Sequence, residues 1–281
     1  MKLSVNTGLY REFLTEEQAI VSIKEAGFDS YDCSFCDQDS TYPIYQDDYI
    51  EHYTKLRKFA DSIGISCNQT HSPFPTYRVG DDEYNQNIRK MIIRTIEVTK
   101  ILGAEICIVH PWNDFTPEQN AELVYLPLVD VLKKHGVKVA VENMWNFSYG
   151  CDHVVPAACS TADNFIAHMK LLPKEHFVAC LDLGHASLFG DTAKMIKDLG
   201  PYIKALHVHD TDLRRDLHTI PYFGYIDWDS ICDALKQINY SGDFTFEVGS
   251  AMPKLPTAKL KQSCLNLMHD IGRELIKKIE E

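Results

Sequence analysis

The stretch KALHVHDTD, residues 204–212, combines residue types and a spacing that suit chemistry. It places His207 and His209 two positions apart and puts Asp210 directly after them. In a β-strand, residues i and i+2 point to the same side of the sheet. If this stretch is a strand, the two imidazoles share one face and the Asp210 carboxylate turns away from them. What the two histidines can bind then depends on which other side chains the surrounding strands and helices place beside them.

Eight short apolar runs are candidates for the strands that position such groups, and they alternate with amphipathic segments of helical length. The runs cover residues 2–7, 28–34, 65–71, 105–110, 137–143, 176–182, 203–209 and 243–249. The helical patterns cover residues 15–27, 81–103, 117–135, 161–171, 191–199, 228–238 and 256–279. This alternation predicts one (β/α)8 TIM barrel over residues 1–281, with a doubly wound open sheet as the structural alternative.

A barrel would gather the last residues of its strands at one end, where the active sites of this fold lie. The predicted strand ends are all polar: Asn6, Asp32, His71, His110, Glu142, Asp182, His207 and Glu247. Several carboxylates in one mouth repel each other, and a divalent cation is the simplest compensation. We therefore expect both histidines of the opening stretch to face the barrel axis. At least one should bind a metal alongside Glu142, Asp182 and Glu247.

Bulk composition limits the possible partners. The net charge of −12 and the pI near 5.4 are a poor match for duplex DNA, which needs clustered Lys and Arg. No apolar run approaches the roughly 20 residues of a membrane span, and MKLSVNTGLY lacks the apolar core of a signal peptide. The nine scattered cysteines are typical of reduced thiols. We expect a cytoplasmic protein that binds neither nucleic acid nor membrane and could form a homo-oligomer.

Five motifs, in chain order, resemble the xylose-isomerase-like TIM-barrel superfamily. They are VEN at 141–143, LDLGH at 181–185, LHVHD at 206–210, DLH at 216–218 followed by GYIDW at 224–228, and FEVG at 246–249. The resemblance runs over essentially the whole chain. This superfamily holds sugar isomerases, ketose 3-epimerases, inosose dehydratases and endonuclease IV, so the ordered set is specific to the superfamily and not to one reaction.

The resemblance implies a divalent metal, with Mn²⁺ as the first choice and Zn²⁺, Mg²⁺ or Co²⁺ as alternatives. The implied ligands are Glu142, Asp182, His207 and Glu247. His207 is favoured over His209 because the superfamily ligand stands three residues before the acid, which is Asp210 here. His209 would then line the pocket or simply pack.

The resemblance also implies a proton-transfer reaction. In the superfamily's epimerases two glutamates flank a metal-chelated ketose, which makes Glu142 and Glu247 the implied acid/base pair. Chelation acidifies the carbon beside the carbonyl and stabilises an enediolate. The implied function is a sugar or sugar-phosphate isomerase or epimerase, although one glutamate could be a ligand only. The hydride shift of classical xylose isomerases uses a lysine, and no lysine ends a predicted strand here.

Endonuclease IV provides the first alternative, a multinuclear zinc phosphodiesterase. That family holds three zinc ions with nine ligands, and this sequence has a candidate for each: His71, His110, Glu142, Asp182, His185, His207, Asp216, His218 and Glu247. The acidic charge argues against a nuclease, as does the lack of a basic run in the first two βα loops. Two roles stay open for four of these residues, which would bind either a second metal or sugar hydroxyls: His71, His110, Asp216 and His218.

The remaining candidates concern the substrate. The predicted substrate-binding residues are His71, His110, Trp112, Trp145, His185 and Arg215, and Phe35 and Tyr149 also fall in loops at the mouth. Aromatic faces stack on sugars, although ordinary loop packing explains them as well. Arg214 and Arg215 would bind a phosphate if the substrate has one. The long connection 145–160 could be a lid, and we expect its Asp152 and His153 not to be ligands.

Two further functions share this set of residues. A metal-dependent lyase or dehydratase acting on keto-sugars or keto-glycosides would use the same ligands, because an enediolate is common to these reactions. A non-catalytic sugar-binding barrel is the other alternative. Degenerate barrels usually lose a ligand or an acid/base residue, and none is missing from this sequence.

Overall fold

Eight parallel strands form one ring in the computed structural model, which describes residues 1–10, 13–36, 40–148, 153–249 and 254–281. The ring strands are β1 Leu3–Asn6, β2 Ser30–Ser34, β3 Ser66–His71, β4 Ile106–Val109, β5 Lys138–Glu142, β8 Phe177–Asp182, β9 Ile203–His207 and β10 Phe244–Phe246. Their order is β10-β1-β2-β3-β4-β5-β8-β9, and a parallel bridge between Val208 and Phe246 joins the two ends. The predicted TIM barrel is confirmed, and the open sheet is wrong.

Helices surround this ring. They are α1 Glu16–Glu25, α2 Tyr49–Ser62, α3 Asp82–Leu102, α4 Pro117–Asn120, α5 Val129–His135, α6 Ala162–Leu171, α7 Leu183–Ser187, α8 Thr192–Leu199, α9 Trp228–Gln237 and α10 Ala258–Glu280. Helix α2 was not among the predicted segments, although its buried residues Tyr49, Tyr53, Leu56 and Ala60 follow helical spacing. The connection 145–160 contains a short antiparallel pair, β6 Trp145–Phe147 and β7 Val154–Pro156.

The segment 117–135 departs from the prediction of one continuous helix. After α4 the chain forms a π-helix over Ala121–Tyr125 and a 3₁₀ turn over Leu126–Leu128 before α5 begins. Pro127 lies inside this turn and has no N–H for a helical hydrogen bond. The proline therefore divides a segment whose apolar spacing looks uniform.

Inside the ring, a small apolar layer lies directly below the predicted site residues. Its members are Ile108, Ala140, Val178, Cys180 and Ala205, all buried. Four of them stand two residues before His110, Glu142, Asp182 and His207. Because side chains in a strand alternate with a period of two, the inward face that forms this layer ends in ligand-type groups.

The eight cysteines within the described ranges form no disulfide with one another, and six of them are buried, as expected for small apolar side chains. Among the described residues, no helix is both long and apolar enough to cross a membrane.

Candidate active site

The predicted strand ends meet at the carboxyl-terminal mouth of the barrel. Five of them end their strands: Asn6, His71, Glu142, Asp182 and His207. His110 and Glu247 come directly after β4 and β10. The prediction that Asp32 ends its strand is wrong, because β2 continues to Ser34. The Asp32 carboxylate lies two residues before the end of the strand and is fully buried.

The buried Asp32 carboxylate lies beneath His207, with one oxygen 3.8 Å from the ring Nε2. The Asn6 amide donates to this oxygen over 3.1 Å. Burial raises the pKa of Asp32 to about 7, because desolvation outweighs the opposing charge of His207. Asp32 therefore contacts the back of the site and stays out of its cavity.

Four ligand-type side chains converge above the apolar layer, and we call them the inner group: Glu142, Asp182, His207 and Glu247. Each offers one ligand atom, and these atoms all lie within 4.8 Å of one another. The Nδ1 of His207 is 2.8 Å from Glu142 Oε1 and 3.3 Å from Glu247 Oε2. The structure thus brings together the four residues that the resemblance implies as metal ligands.

Two histidines adjoin the inner group on the β3 and β4 side. The Nε2 atoms of His71 and His110 are 2.8 Å apart, and His110 Nε2 is 2.8 Å from Glu142 Oε2. His71 Nδ1 is 3.2 Å from Glu247 Oε1. Burial lowers the pKa of His71, so its neutral form is favoured. Two ring nitrogens and one carboxylate oxygen therefore face a common point, where a cation would be stabilised.

A second cluster, the outer group, consists of His185, Asp216 and His218. The backbone carbonyls of Asn143 and Glu247 accept from the Nδ1–H groups of His185 (2.9 Å) and His218 (2.8 Å), which directs both Nε2 atoms toward Asp216 Oδ2. Those Nε2 atoms are 3.3 and 2.9 Å from this oxygen. Because both Nδ1 atoms carry a proton, an unprotonated Nε2 would direct its lone pair at the Asp216 carboxylate. Each contact is therefore favourable only when a proton or a metal ion lies between the nitrogen and the oxygen.

The pKa values in the outer group follow from this arrangement. Burial alone would lower the pKa of His218, but the hydrogen bond and charge of Asp216 outweigh it and raise the value to about 9. The same balance, with Asp182 as the leading charge, holds the pKa of His185 well above its usual range. The two histidines in turn keep the pKa of Asp216 far below normal. These shifts favour the charged form of each of the three groups, with the Asp216 carboxylate between the two imidazole rings.

We expected both His207 and His209 to end the strand, and this expectation is wrong for His209. Strand β9 ends at His207, and the chain then bridges to β10 through Val208. The fully buried His209 ring stacks on His218 with centroids 3.9 Å apart, and its Nε2 lies 3.0 and 3.1 Å from the two Asp182 oxygens. His209 is not among the residues that line the cavity.

The acid that follows the histidines anchors the loop over residues 211–227. The buried Asp210 carboxylate accepts from the backbone N–H groups of Thr211, Tyr222 and Ile226, and from the indole of Trp228. Gly224 is required here, because a Cβ would come within 2.3 Å of an Asp210 oxygen. Asp210 therefore turns away from the histidines, as strand alternation predicts, and organises the loop that carries Asp216 and His218.

A cavity of about 300 Å³ opens above both groups. Its lining includes His71, His110, Glu142, His185, Asp216, His218 and Glu247, together with the side chains Cys36, Phe74, Asn113, Met144, Trp145, Asn146 and Phe147. The indole N–H of Trp145 donates to Asp216 over 3.1 Å. Phe74 and Phe147 were not predicted, although Phe74 follows His71 by three residues and Phe147 lies two after Trp145.

Other predicted substrate contacts lie elsewhere. Trp112 packs near Phe115, and Arg215 is two-thirds exposed and pairs with Asp212 over 2.6 Å, so neither lines the cavity. Phe35 is buried against Tyr53. Tyr149 and Asp152 lie outside the described residues, and His153 is exposed.

The fold and the polar mouth together define a TIM-barrel protein with a carboxylate–imidazole site. A family model described as "Xylose isomerase-like TIM barrel" matches residues 20–266. The chain belongs to this family, and the resemblance given by its motifs is confirmed.

Individual proteins are similar to this chain at low sequence identity. An uncharacterized protein of Methanocaldococcus jannaschii, MJ1311, is 24% identical over 226 residues, which are 75% of this chain and 74% of that protein. The crystal structure of a D-tagatose 3-epimerase-like protein is 20% identical, with a TM-score of 0.79 over 100% of this chain and 98% of that one.

Two other solved structures are similar. A D-psicose 3-epimerase with D-tagatose, from Clostridium cellulolyticum H10, is 16% identical with a TM-score of 0.76 over 98% of this chain and 99% of that one. The IOLI protein with a binding zinc atom is 17% identical with a TM-score of 0.72 over 99% and 98% of the two chains.

Proposed function

We propose that this protein is a divalent-metal-dependent isomerase or epimerase that acts on carbohydrates by proton transfer. The observation that carries the proposal is the pair of carboxylates, Glu142 and Glu247, which line the same cavity and lie 2.8 and 3.3 Å from His207 Nδ1. The solved structures with a similar fold include a D-tagatose 3-epimerase-like protein and a D-psicose 3-epimerase, which supports the same class of substrate.

The inner group fits a divalent metal. Its donors are three carboxylates and one imidazole, a set typical of Mn²⁺ that also tolerates Zn²⁺, Mg²⁺ or Co²⁺. Three carboxylates that share one imidazole, with His207 Nδ1 within 3.3 Å of oxygens of both Glu142 and Glu247, repel one another, and a bound cation would compensate this charge. We assign Glu142, Asp182, His207 and Glu247 to hold it, with Mn²⁺ as the first choice. When bound, the ion acts as a Lewis acid that makes the hydrogen beside a carbonyl more acidic.

The two glutamates are suited to move that proton. Burial alone would raise the pKa of each, but the charge of His207 outweighs it and holds both values below their usual range. An ionised carboxylate can accept a proton from carbon. An isomerase can return the proton from the same glutamate, whereas an epimerase needs the second glutamate to hold a proton and to donate it on the opposite face.

The walls of the cavity favour an unphosphorylated sugar as the first substrate to test. Trp145, Phe147 and Phe74 offer aromatic surface, and the outer group offers donors and acceptors for hydroxyls. Within the described ranges, no lysine or arginine lines the cavity, so a phosphate dianion would meet carboxylates without a paired basic side chain. This argues against the role of Arg214 and Arg215 as phosphate-binding residues.

Turnover on a sugar panel tests the proposal. Free ketoses and ketose phosphates are incubated with the Mn²⁺-loaded protein, and products are identified by NMR. Glu142→Gln and Glu247→Gln should each lose turnover by about 10²–10⁴-fold, since an amide cannot carry the proton. Glu105→Gln is the matched control, because Glu105 is exposed before β4, at the opposite end of the barrel. Absence of turnover on every sugar tested would remove the proposal.

A multinuclear phosphodiesterase is the second candidate, and one observation favours it. Among the described residues, three of the five overlapping groups of ligand-type side chains could each hold one ion: the inner group, His71 and His110 with Glu142, and the outer group with His209. The net charge of −12 opposes this function, because phosphate backbones need basic contacts. Metal analysis distinguishes the candidates: one ion per chain supports the sugar enzyme, whereas three ions with incision of abasic-site DNA support the nuclease.

A further inference from the structure

His209 makes contacts that link the inner and outer groups. Its Nε2 lies 3.0 Å from Asp182 Oδ1, 3.1 Å from Asp182 Oδ2 and 3.7 Å from Asp216 Oδ1. Its ring stacks on His218, and it is completely buried. We propose that His209 is a positioning residue that fixes the Asp182 carboxylate for metal binding. The inference rests on the proposed metal site.

The stacking geometry argues that His209 is not itself a ligand of an outer-group ion. The His209 and His218 rings are nearly parallel, with an interplanar angle of 13° and centroids 3.9 Å apart. A metal lies in the plane of each imidazole that binds it, about 2.1 Å from the nitrogen. Two stacked rings cannot both satisfy this condition for one ion, so His218 and His209 do not share it.

The other contacts of Asp182 show why a further partner is needed. The Asn143 side chain fixes the Asp182 backbone, accepting from its N–H over 2.7 Å and donating to its carbonyl over 2.9 Å. The N–H of His185 donates to Oδ1 over 2.6 Å, which makes Asp182 the N-cap of α7. Oδ2 is bonded by His209. The imidazole therefore restricts rotation of a carboxylate that is otherwise held at one oxygen.

Gly184 provides the space for this imidazole. A Cβ at this position would lie 1.9 Å from His209 Cε1 and 2.4 Å from Nδ1, far inside van der Waals contact. The backbone φ of Gly184 is not in the left-handed region, so the glycine is needed for space and not for conformation. Gly184→Ala therefore displaces His209 without removing its N–H donor.

The experiment measures Co²⁺ binding by the metal-stripped protein of residues 1–281, without substrate. His209→Leu removes the donor, whereas the amide of His209→Gln can still donate to Asp182. We expect His209→Leu to weaken Co²⁺ affinity by about 10–100-fold, the usual range for an outer-shell partner, and His209→Gln to restore most of it. Gly184→Ala should weaken Co²⁺ binding in the same direction. His168→Leu is the control, because His168 is also buried and hydrogen-bonded, to Asn120 and the Asn164 carbonyl.

The possible outcomes separate the roles of His209. A changed Co²⁺ absorption spectrum and weaker affinity in His209→Leu at unchanged stoichiometry support positioning. Wild-type affinity and spectrum in His209→Leu overturn it. Loss of one bound ion per chain in both His209→Leu and His209→Gln also overturns it, because His209 would then be a ligand. If His209→Leu does not fold, Gly184→Ala decides, since wild-type Co²⁺ affinity in that variant contradicts the proposal. Because no sugar is present, failure of the proposed reaction leaves this result unaffected.

Discussion

The inner and outer groups use the same residue types but are held by different parts of the chain. Three inner residues, Glu142, Asp182 and His207, end barrel strands two positions after a buried apolar residue. The outer residues Asp216 and His218 lie on the loop that the Asp210 carboxylate organises. The inner site is therefore fixed by strand pairing, whereas the outer site depends on one buried carboxylate and its donors.

The largest effect is expected from breaking the inner group. Asp182→Ala combined with His207→Ala removes two of the four proposed ligands, so metal affinity should fall by at least about 10³-fold. The barrel should stay folded, because both side chains lie at the rim above the apolar layer. Elemental analysis and circular dichroism measure the two effects. Full metal occupancy in the double variant would contradict the ligand assignment.

Breaking the loop anchor should affect the outer group and spare the inner one. Asp210→Ala leaves three backbone N–H groups and one indole N–H without their buried acceptor, which should lower the free energy of unfolding by about 3 kcal/mol or more. Asp210→Asn keeps one acceptor oxygen and should lose less. Denaturant unfolding gives the stability, and Co²⁺ titration should show inner-group affinity within about threefold of wild type. A fall of more than about tenfold in Co²⁺ affinity in Asp210→Ala would show that the inner group also depends on the loop anchor.

This contrast explains what the sequence could predict. The eight strands follow from short apolar runs that alternate with helical patterns, and the inner residues follow from the ends of those runs once a barrel closes. Asp216 and His218 were identified through a family motif, because a loop has no regular spacing from which the positions of its side chains can be predicted. The contacts of Asp210, the stacking of His209 on His218 and the exposed position of Arg215 depend on tertiary packing, which no local spacing contains.

A smaller effect is expected when the outer group loses the hydrogen bond that Trp145 donates to it from the cavity wall. Trp145→Phe keeps an aromatic face but removes the N–H that donates to Asp216. If the outer group binds sugar hydroxyls, KM should rise about fivefold while kcat changes little, as expected for one lost hydrogen bond. Steady-state kinetics on the best sugar measure both constants. A large fall in kcat with constant KM would instead place Trp145 in the chemical step.

The smallest expected effect concerns the pH dependence of the unfolding free energy at a residue pair outside both groups. His52 hydrogen-bonds Glu16 over 2.7 Å, and this bond raises the pKa of His52 despite partial burial. A raised pKa stabilises the fold below the unfolded value near 6.5, and the contribution disappears as pH rises through the folded value. Because the pair is partly exposed, solvent screening limits the contribution to about 0.5 kcal/mol. Wild type and His52→Gln should differ in unfolding free energy at pH 5.5 and converge by pH 8.5; a gap that widens with pH would be the wrong sign.

The most direct test of the central claim follows the hydrogen that the two glutamates are proposed to carry. Turnover of an active ketose by the Mn²⁺-loaded protein in D₂O, read by deuterium NMR, should place deuterium on the reacting carbon, because a carboxylate open to the cavity can exchange its proton with solvent. Glu247→Gln should lose that product while retaining most of its metal, and Glu105→Gln should behave as wild type. Product that forms without solvent deuterium at any reaction time, or a Glu247→Gln protein near full activity, would contradict the proton-transfer mechanism.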